Sequence, residues 1–234
     1  MFDVTFVRKE EIAEHIYSFY FEPVKPLRFV AGQFIELKLT HQNPDNRGEK
    51  RWFTISSSPT RKLLAISTRF SESHSSTFKN ALKNLKPGAK LQMANPMGDF
   101  VLPKDPSIPL LFMAGGMGCT PFHSIIDYLN ERGEKRDIKM IYAAKKLEDV
   151  AFTHTFESLG SNFRIALTEP PANWHGVSGH ITPSEILRAS GRGERRIYLS
   201  GPEPMVEMLD KELKEAGVHG NCIHTDFFPG YKAI

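Results

Sequence analysis

The sequence predicts a two-part fold, an antiparallel Greek-key β-barrel followed by a Rossmann-like parallel sheet with helices on both faces. Three observations predict it. Residues 1–103 read as short strands broken by turns, residues 104–234 read as apolar runs alternating with helical periods, and the proline-rich Pro103-Lys104-Asp105-Pro106 stands between the two patterns. Two domains, 1–103 and 104–234, are the expectation.

In the first half, segments 2–8, 15–21, 33–39, 51–56, 63–70 and 90–94 are rich in Phe, Ile, Val and Thr, the residues that suit a pleated, half-buried surface. Turns such as Asn43-Pro44-Asp45 and Lys86-Pro87-Gly88 punctuate them. One helix interrupts the strands: over 76–85 the residues Phe78, Ala81, Leu82 and Leu85 share a face, while Lys79, Lys83 and Lys86 line the other. In the second half, apolar runs at 110–113, 138–143, 163–167 and 196–200 alternate with helical patterns at 122–129 and 205–215. Buried runs of this kind imply right-handed βαβ units and a parallel sheet.

Composition excludes several classes. With 40% hydrophobic and 24% charged residues the chain is globular in type, and no apolar run approaches the roughly 18 residues of a membrane span. The start alternates apolar and polar residues and lacks a secretory leader pattern, so a cytoplasmic protein is expected. Cys119 and Cys222 are the only cysteines, too few for an iron–sulfur cluster, and no His pair has metal-site spacing, so no metal is expected. No pattern points to nucleic acid or a membrane. Residues 1–103 carry 15 basic against 10 acidic side chains and residues 104–234 carry 15 against 17, an asymmetry that suits a first half facing a pyrophosphate or an acidic protein, or an ordinary solvated surface.

Two places concentrate chemistry. Ala114-Gly115-Gly116-Met117-Gly118-Cys119-Thr120-Pro121 follows the first strand of the second half. Its glycines allow a sharp turn and close approach of a ligand, Thr120 is an expected N-cap with Pro121 in the first turn, and a helix start offers free N–H groups to a pyrophosphate. A purely structural tight turn fits the same residues. A second strand-to-helix joint, Ser200-Gly201-Pro202-Glu203-Pro204-Met205, completes a crevice if both lie at the carboxyl ends of neighbouring strands. In the first half Arg51-Trp52-Phe53-Thr54 ends a strand, with Arg51 and Phe53 expected on one face and Trp52 and Thr54 on the other. His74-Ser75-Ser76-Thr77 opens the basic helix; anion binding by Arg51 and this helix start, or a plain N-cap and a surface arginine, both fit.

Taken in order, G-Q-F (32–34), R-W-F-T (51–54), H-S-S-T-F (74–78), A-G-G-M-G-C-T-P (114–121), S-G-P-E-P-M (200–205) and D-F-F-P-G-Y (226–231) resemble the ferredoxin:NADP reductase family over essentially the whole chain. The resemblance implies an FAD-binding barrel and a pyridine-nucleotide domain. It implies that Arg51 holds the FAD pyrophosphate, that Trp52 and Phe53 line the cofactor, and that the Thr54 hydroxyl meets flavin N5. Ile66 and Thr68 then line FAD by their backbone, and Ser75, Ser76 and Thr77 contact its phosphates. Gly115, Gly116, Gly118 and Thr120 accommodate the NAD(P) pyrophosphate, and Ser200, Gly201, Pro202 and Met205 flank the nicotinamide. Asp226 and Phe228 take the places of the family's acid and aromatic, with Phe228 or Tyr231 covering the flavin. Thr54, Ser200 and Asp226 are the catalytic candidates.

The chain departs from the family's common pattern at three positions: Phe53-Thr54 stands for Tyr-Ser, Ser200 for cysteine, and Asp226 for glutamate. Lys145 and Lys146, after the second strand, suit a 2′-phosphate and favour NADPH, whereas Glu169 is a sign for NADH. The function implied is hydride transfer from NAD(P)H to FAD and onward electron transfer to a separate acceptor such as an acidic ferredoxin or flavodoxin, for which the Lys79, Lys83 and Lys86 face is a docking candidate. Two alternatives stay open: a reductase of free flavin, and a non-catalytic nucleotide-binding sensor or subunit.

Overall fold

A computed structural model describes residues 1–71, 75–191 and 194–228. The first half forms β1 (Phe2–Ala13), β2 (Ile16–Pro23), β3 (Phe34–Lys38), β4 (Lys50–Thr54), β5 (Leu64–Arg69), α1 (Thr77–Lys83) and β6 (Lys90–Met93). These strands make one antiparallel sheet in the order β4-β3-β6-β1-β2-β5. Its two edges meet where Ile55 bridges Ile66, which curls the sheet onto itself around Val4, Phe6, Phe19, Phe21, Ile35, Leu37 and Ile66. Phe78 and Leu82 of α1, both fully buried, join this core.

The second half runs β7 (Leu110–Gly115), α2 (Cys119–Arg132), β8 (Ile138–Ala144), α3 (Thr153–Phe156), β9 (Phe163–Leu167), β10 (Val177–Ser178), α4 (Pro183–Ser190), β11 (Arg196–Pro202), α5 (Glu203–Glu215) and β12 (Ile223–Phe228). All pairings are parallel, in the order β10-β9-β8-β7-β11-β12. Every residue of β7 is buried: Leu110 and Phe112 pack with α2, and Leu111 and Met113 with the core that holds Val206 and Leu209 of α5. Helices therefore cover both faces, as an uninterrupted apolar strand requires.

Strand order reverses between β7 and β11, which sets the crevice at the carboxyl ends of these two strands. Elements the sequence reading passed over are α3, α4, β10 and β12. The α4 start was legible: Thr182 and Glu185 form a reciprocal capping box with Pro183 in the first turn. The N-cap expectation for Thr120 is corrected. A 3-10 turn at Gly116–Gly118 already coils the chain, so α2 begins at Cys119 after an N-cap at Gly118, and the Thr120 hydroxyl instead donates to Met117 O at 2.9 Å.

The two halves share a seam. Phe100 packs edge-on against Tyr198 and tilted against Phe122, and Tyr198 donates to Val101 O at 2.9 Å. Arg69 of β5 pairs with Asp149 at 2.7 Å. The segment after β4 runs along α2: His123 Nδ1 lies 2.6 Å from Ser56 O, Ser124 donates to Ser57 O at 2.7 Å, and Arg61 bridges Asp127 and Glu131.

Candidate functional site

On the barrel side, β4 alternates as expected. Arg51 and Phe53 face α1, with the guanidinium 5.1 Å from the centre of the Phe78 ring and Phe53 tilted against the same ring. Trp52 points the other way, 63% exposed, with Phe34 beside it and its Nε1 donating to Glu36 at 3.3 Å. Thr54 is buried at the strand end, in register with Phe34.

Arg51 is held by its own loop. Its Nη1 donates to the carbonyls of Arg47, Gly48 and Lys50 at 3.0, 2.9 and 2.6 Å, and Nη2 bonds Asp45 at 2.8 Å. Thr77 receives the Asp45 N–H at 3.0 Å and contacts His41 Nε2 at 3.1 Å. Ser75 donates to Ser71 O, and Ser76 caps α1 by accepting from Lys79 N at 3.2 Å. Arg51 and Thr77 are thus joined through Asp45 in one hydrogen-bonded loop cluster, while Ser75 and Ser76 bond within their own segment; Nε and the second Nη2 hydrogen of Arg51 have no acceptor among the described residues. His74 lies outside those residues.

Ile66 and Thr68 are buried on β5, and the end of that strand packs against the Gly116–Gly118 turn. From there the glycine crevice begins. A Cβ on Gly118 would lie 2.1 Å from Ser200 O, so this glycine is required by the neighbouring strand's backbone before any ligand is considered. Cβ atoms on Gly115 and Gly201 would each come within 2.6 Å of the Met205 side chain. Gly116 has φ +50°, the left-handed turn that a glycine accepts at little cost. Pro202, at the end of β11, stands 3.2 Å from the same Gly115 position.

Beyond this crevice Ser200 and Asp226 are register partners on β11 and β12, as are Tyr198 and His224 one step earlier on the same face. Ser200 Oγ is fully buried with no hydrogen bond of ordinary geometry. Burial pushes the Asp226 carboxyl up to about 6; the nearby Ser200 hydroxyl pulls against this and the negative charge of Asp99 adds to it. Lys145 and Glu169 stand at the ends of β8 and β9 and form a half-exposed pair at 3.1 Å. Lys146 N–H is taken by Asp149 at 3.3 Å. Tyr231 and the Phe228 side chain lie outside the described residues.

Residues 112–211 match the family described as oxidoreductase NAD-binding domain. Flavohemoprotein A of Dictyostelium discoideum is 24% identical over 232 residues, covering 94% of this chain, and the chain spans 58% of that relative's length. Among solved structures, the flavohem-like FAD/NAD-binding domain of nitric oxide dioxygenase from Vibrio cholerae superposes with a TM-score of 0.82 at 20% identity, over 97% of this chain and 98% of that one. A ferredoxin NADP+ reductase from Neisseria gonorrhoeae with bound FAD and NADP gives 0.78 at 20% identity, over 96% and 97%.

The NAD-binding family match lies in the second half, and the whole chain shares the two-domain fold of these solved structures. FAD and NAD(P) are the groups that the sequence resemblance implies. The residues present fit both groups. The buried Ser200 Oγ, with no hydrogen bond of ordinary geometry, suits a nicotinamide amide, and the uncommitted Arg51 hydrogens suit a phosphate, while Met205 packs over Gly115 and Gly201. No helix of the described residues is long and apolar enough to cross a membrane. No group of three or more His, Cys, Asp or Glu among them is arranged to hold a metal ion.

What sequence reasoning missed in this chain is the α2 face. His123, Asp127 and Glu131, spaced four apart, all reach the barrel segment at 56–61. The polar spacing was visible, but not what it would meet. The Lys face of α1 is also less open than expected: Lys79 Nζ donates to Arg69 O at 2.8 Å and Lys83 lies over the rings of Tyr17 and Phe70.

Proposed function

We infer that the chain takes a hydride from NAD(P)H onto FAD bound at the seam between a barrel domain, 1–103, and a nucleotide domain, 104–234, and hands the electrons to a separate acceptor. The reading is carried by the Ser200–Asp226 register pair beside the strand-order reversal, where an unsatisfied buried hydroxyl adjoins a carboxyl that titrates near neutrality. The flavin supplies the hydride and electron chemistry when bound.

The chain's part is to orient, to dry and to hold protons. Arg51, Trp52, Phe53 and Thr54 grip the cofactor from β4, Ile66 and Thr68 line it by their backbone, and Ser75, Ser76 and Thr77 close around its phosphates. Gly115, Gly116, Gly118 and Thr120 admit the NAD(P) pyrophosphate, and Gly201, Pro202 and Met205 border the nicotinamide. Ser200 would hold the nicotinamide end, Thr54 would stand toward the flavin, and Asp226 would take up or release the proton. Lys145 and Lys146 give a lean toward NADPH that the Glu169 partner of Lys145 tempers.

Removal of Lys79 and Lys83 into contacts of their own narrows the docking face for an acidic ferredoxin or flavodoxin to the Lys86 end of α1. The deciding experiment is a visible spectrum of the purified protein followed by anaerobic titration with NADH and then NADPH. Stoichiometric bleaching of a resident flavin is the expected result; no bleaching by either nucleotide overturns the reading. One observation favours the alternative of a free-flavin reductase: most donors of Arg51 are taken by its own loop, leaving Nε and one Nη2 hydrogen of that side chain to retain FAD. Colourless protein that reduces added flavin selects that alternative.

A further inference from the structure

Two buried side-chain atoms among the described residues make no hydrogen bond of ordinary geometry, Ser200 Oγ on β11 and His224 Nε2 on β12. Only one belongs to the site described above. His224 stands two residues before Asp226 on the same face of β12, and its ring stacks on Tyr198 with centroids 4.5 Å apart and planes 14° from parallel. The Tyr198 hydroxyl is tied to Val101 O, so the platform under the imidazole is fixed. Asp99, exposed on the connection after β6, acts electrostatically on both His224 and Asp226, and Arg196 acts on His224 from β11. The groups that act on Asp226 are therefore Ser200 and Asp99, and those that act on His224 are Arg196 and Asp99, with Tyr198 stacked under the imidazole; His224 and Asp226 succeed one another on the same face of β12.

We propose that His224 is a positioning residue for the proton of Asp226, receiving it from the carboxyl and releasing it to solvent past Asp99. The proposal rests on the functional reading above. A hydride brings two electrons and one proton; when the two electrons leave to a one-electron acceptor, one proton is left over. An O–H bond forms on the Asp226 carboxylate, then breaks as an N–H bond forms on His224, and water takes the proton from there. No further reactant is needed. Burial supports the transfer: it pushes the carboxyl up to about 6 and the imidazole down from its ordinary range, so two groups that differ by roughly 2.6 units in water approach each other. Proton exchange between matched groups is close to thermoneutral. A neutral, stacked imidazole with an open Nε2 is ready to accept.

The test has two readouts. Histidine-labelled nitrogen NMR of the purified holoenzyme, titrated from acid to neutral pH, is expected to show His224 titrating in two coupled steps that merge into one in Asp226→Asn. A single identical step in both proteins overturns the proposal. In the second readout, protein reduced with NAD(P)H is mixed with ferricyanide, a one-electron acceptor, in H2O and in D2O. His224→Gln is expected to slow reoxidation about tenfold and to abolish its solvent isotope effect, with recovery in His224→Glu, which keeps a titrating group. Unchanged reoxidation and isotope effect in His224→Gln overturn the proposal, and if that variant does not fold the NMR comparison decides alone. Failure of NAD(P)H to bleach the flavin sinks the functional reading instead, while the coupled titration still reports on His224.

Discussion

The two sides of the seam treat their polar groups in opposite ways. On the barrel side Arg51 and Thr77 are bonded through Asp45, and Ser75 and Ser76 bond to the backbone of their own segment. On the parallel-sheet side Ser200 and His224 keep buried atoms without partners, and Asp226 is driven toward its neutral form. Buried polar groups are ordinarily satisfied, so an unsatisfied pair marks where stability has been given up for chemistry. The barrel side is a prebuilt holder, whereas the sheet side waits for its ligand.

The largest expected effect tests the packing that brings the sides together. Gly118→Ala puts a Cβ against Ser200 O and is expected to cost about 3 kcal/mol or more, read as a fall in the denaturant midpoint. Gly133→Ala, with φ +63° but open space around it, is the control and should cost only about 1 kcal/mol. Equal losses would show that the Gly118 contact is not what the crevice depends on.

Next comes the holder. Arg51→Ala leaves Asp45 and the carbonyls of its loop unpaired and is expected to cost about 2 kcal/mol together with loss of flavin on desalting. If flavin retention survives while stability falls, the cluster is scaffolding alone and the contrast drawn between the sides weakens.

Asp226 offers a pH test with a definite sign. Its carboxyl rises from 3.8 to about 6 on folding, so the folded protein binds more protons than the unfolded chain between those values. Stability on this account is full below about pH 4, falls as pH rises, and levels off above about 6. Asp226→Asn, which cannot ionise, should be more stable than the parent by up to about 3 kcal/mol at pH 7 and little different near pH 4. Melting curves at both pH values check it; a pH-independent difference would contradict the assignment.

The smallest effect concerns nucleotide choice. Lys145 and Glu169 are both about half exposed, so their pairing contributes under about 1 kcal/mol. Lys145→Ala should lower, and Glu169→Ala raise, the NADPH-to-NADH preference by about fivefold or less, measured as the ratio of kcat/KM values. No shift in either variant would remove both residues from the nucleotide site.

Much of the fold was legible because its signals are local. Strand alternation in β1 to β6, the apolar runs of β7, β8 and β11, and the glycine turn after β7 depend on period and backbone freedom, which a sequence carries openly. The short or polar elements were not: β12 reads Ile-His-Thr-Asp-Phe-Phe and becomes a strand because β11 offers a parallel edge. The site divides along the same line. Arg51, Thr54, Ser200 and Asp226 were legible as motif residues, while His123, Asp127 and Glu131 are known only by what α2 faces.

The sequence by itself determined the two strand grammars, the place where they change, and the glycines that permit the crevice. Only the tertiary structure decided that Gly118 answers to Ser200's backbone, that Arg51 is spoken for by its own loop, and that His224 stands beside Asp226 with an open nitrogen. The reason is physical. Backbone preference is written in each residue and its near neighbours, but whether a buried polar atom finds a partner depends on chain segments that are brought together only when the sheets close.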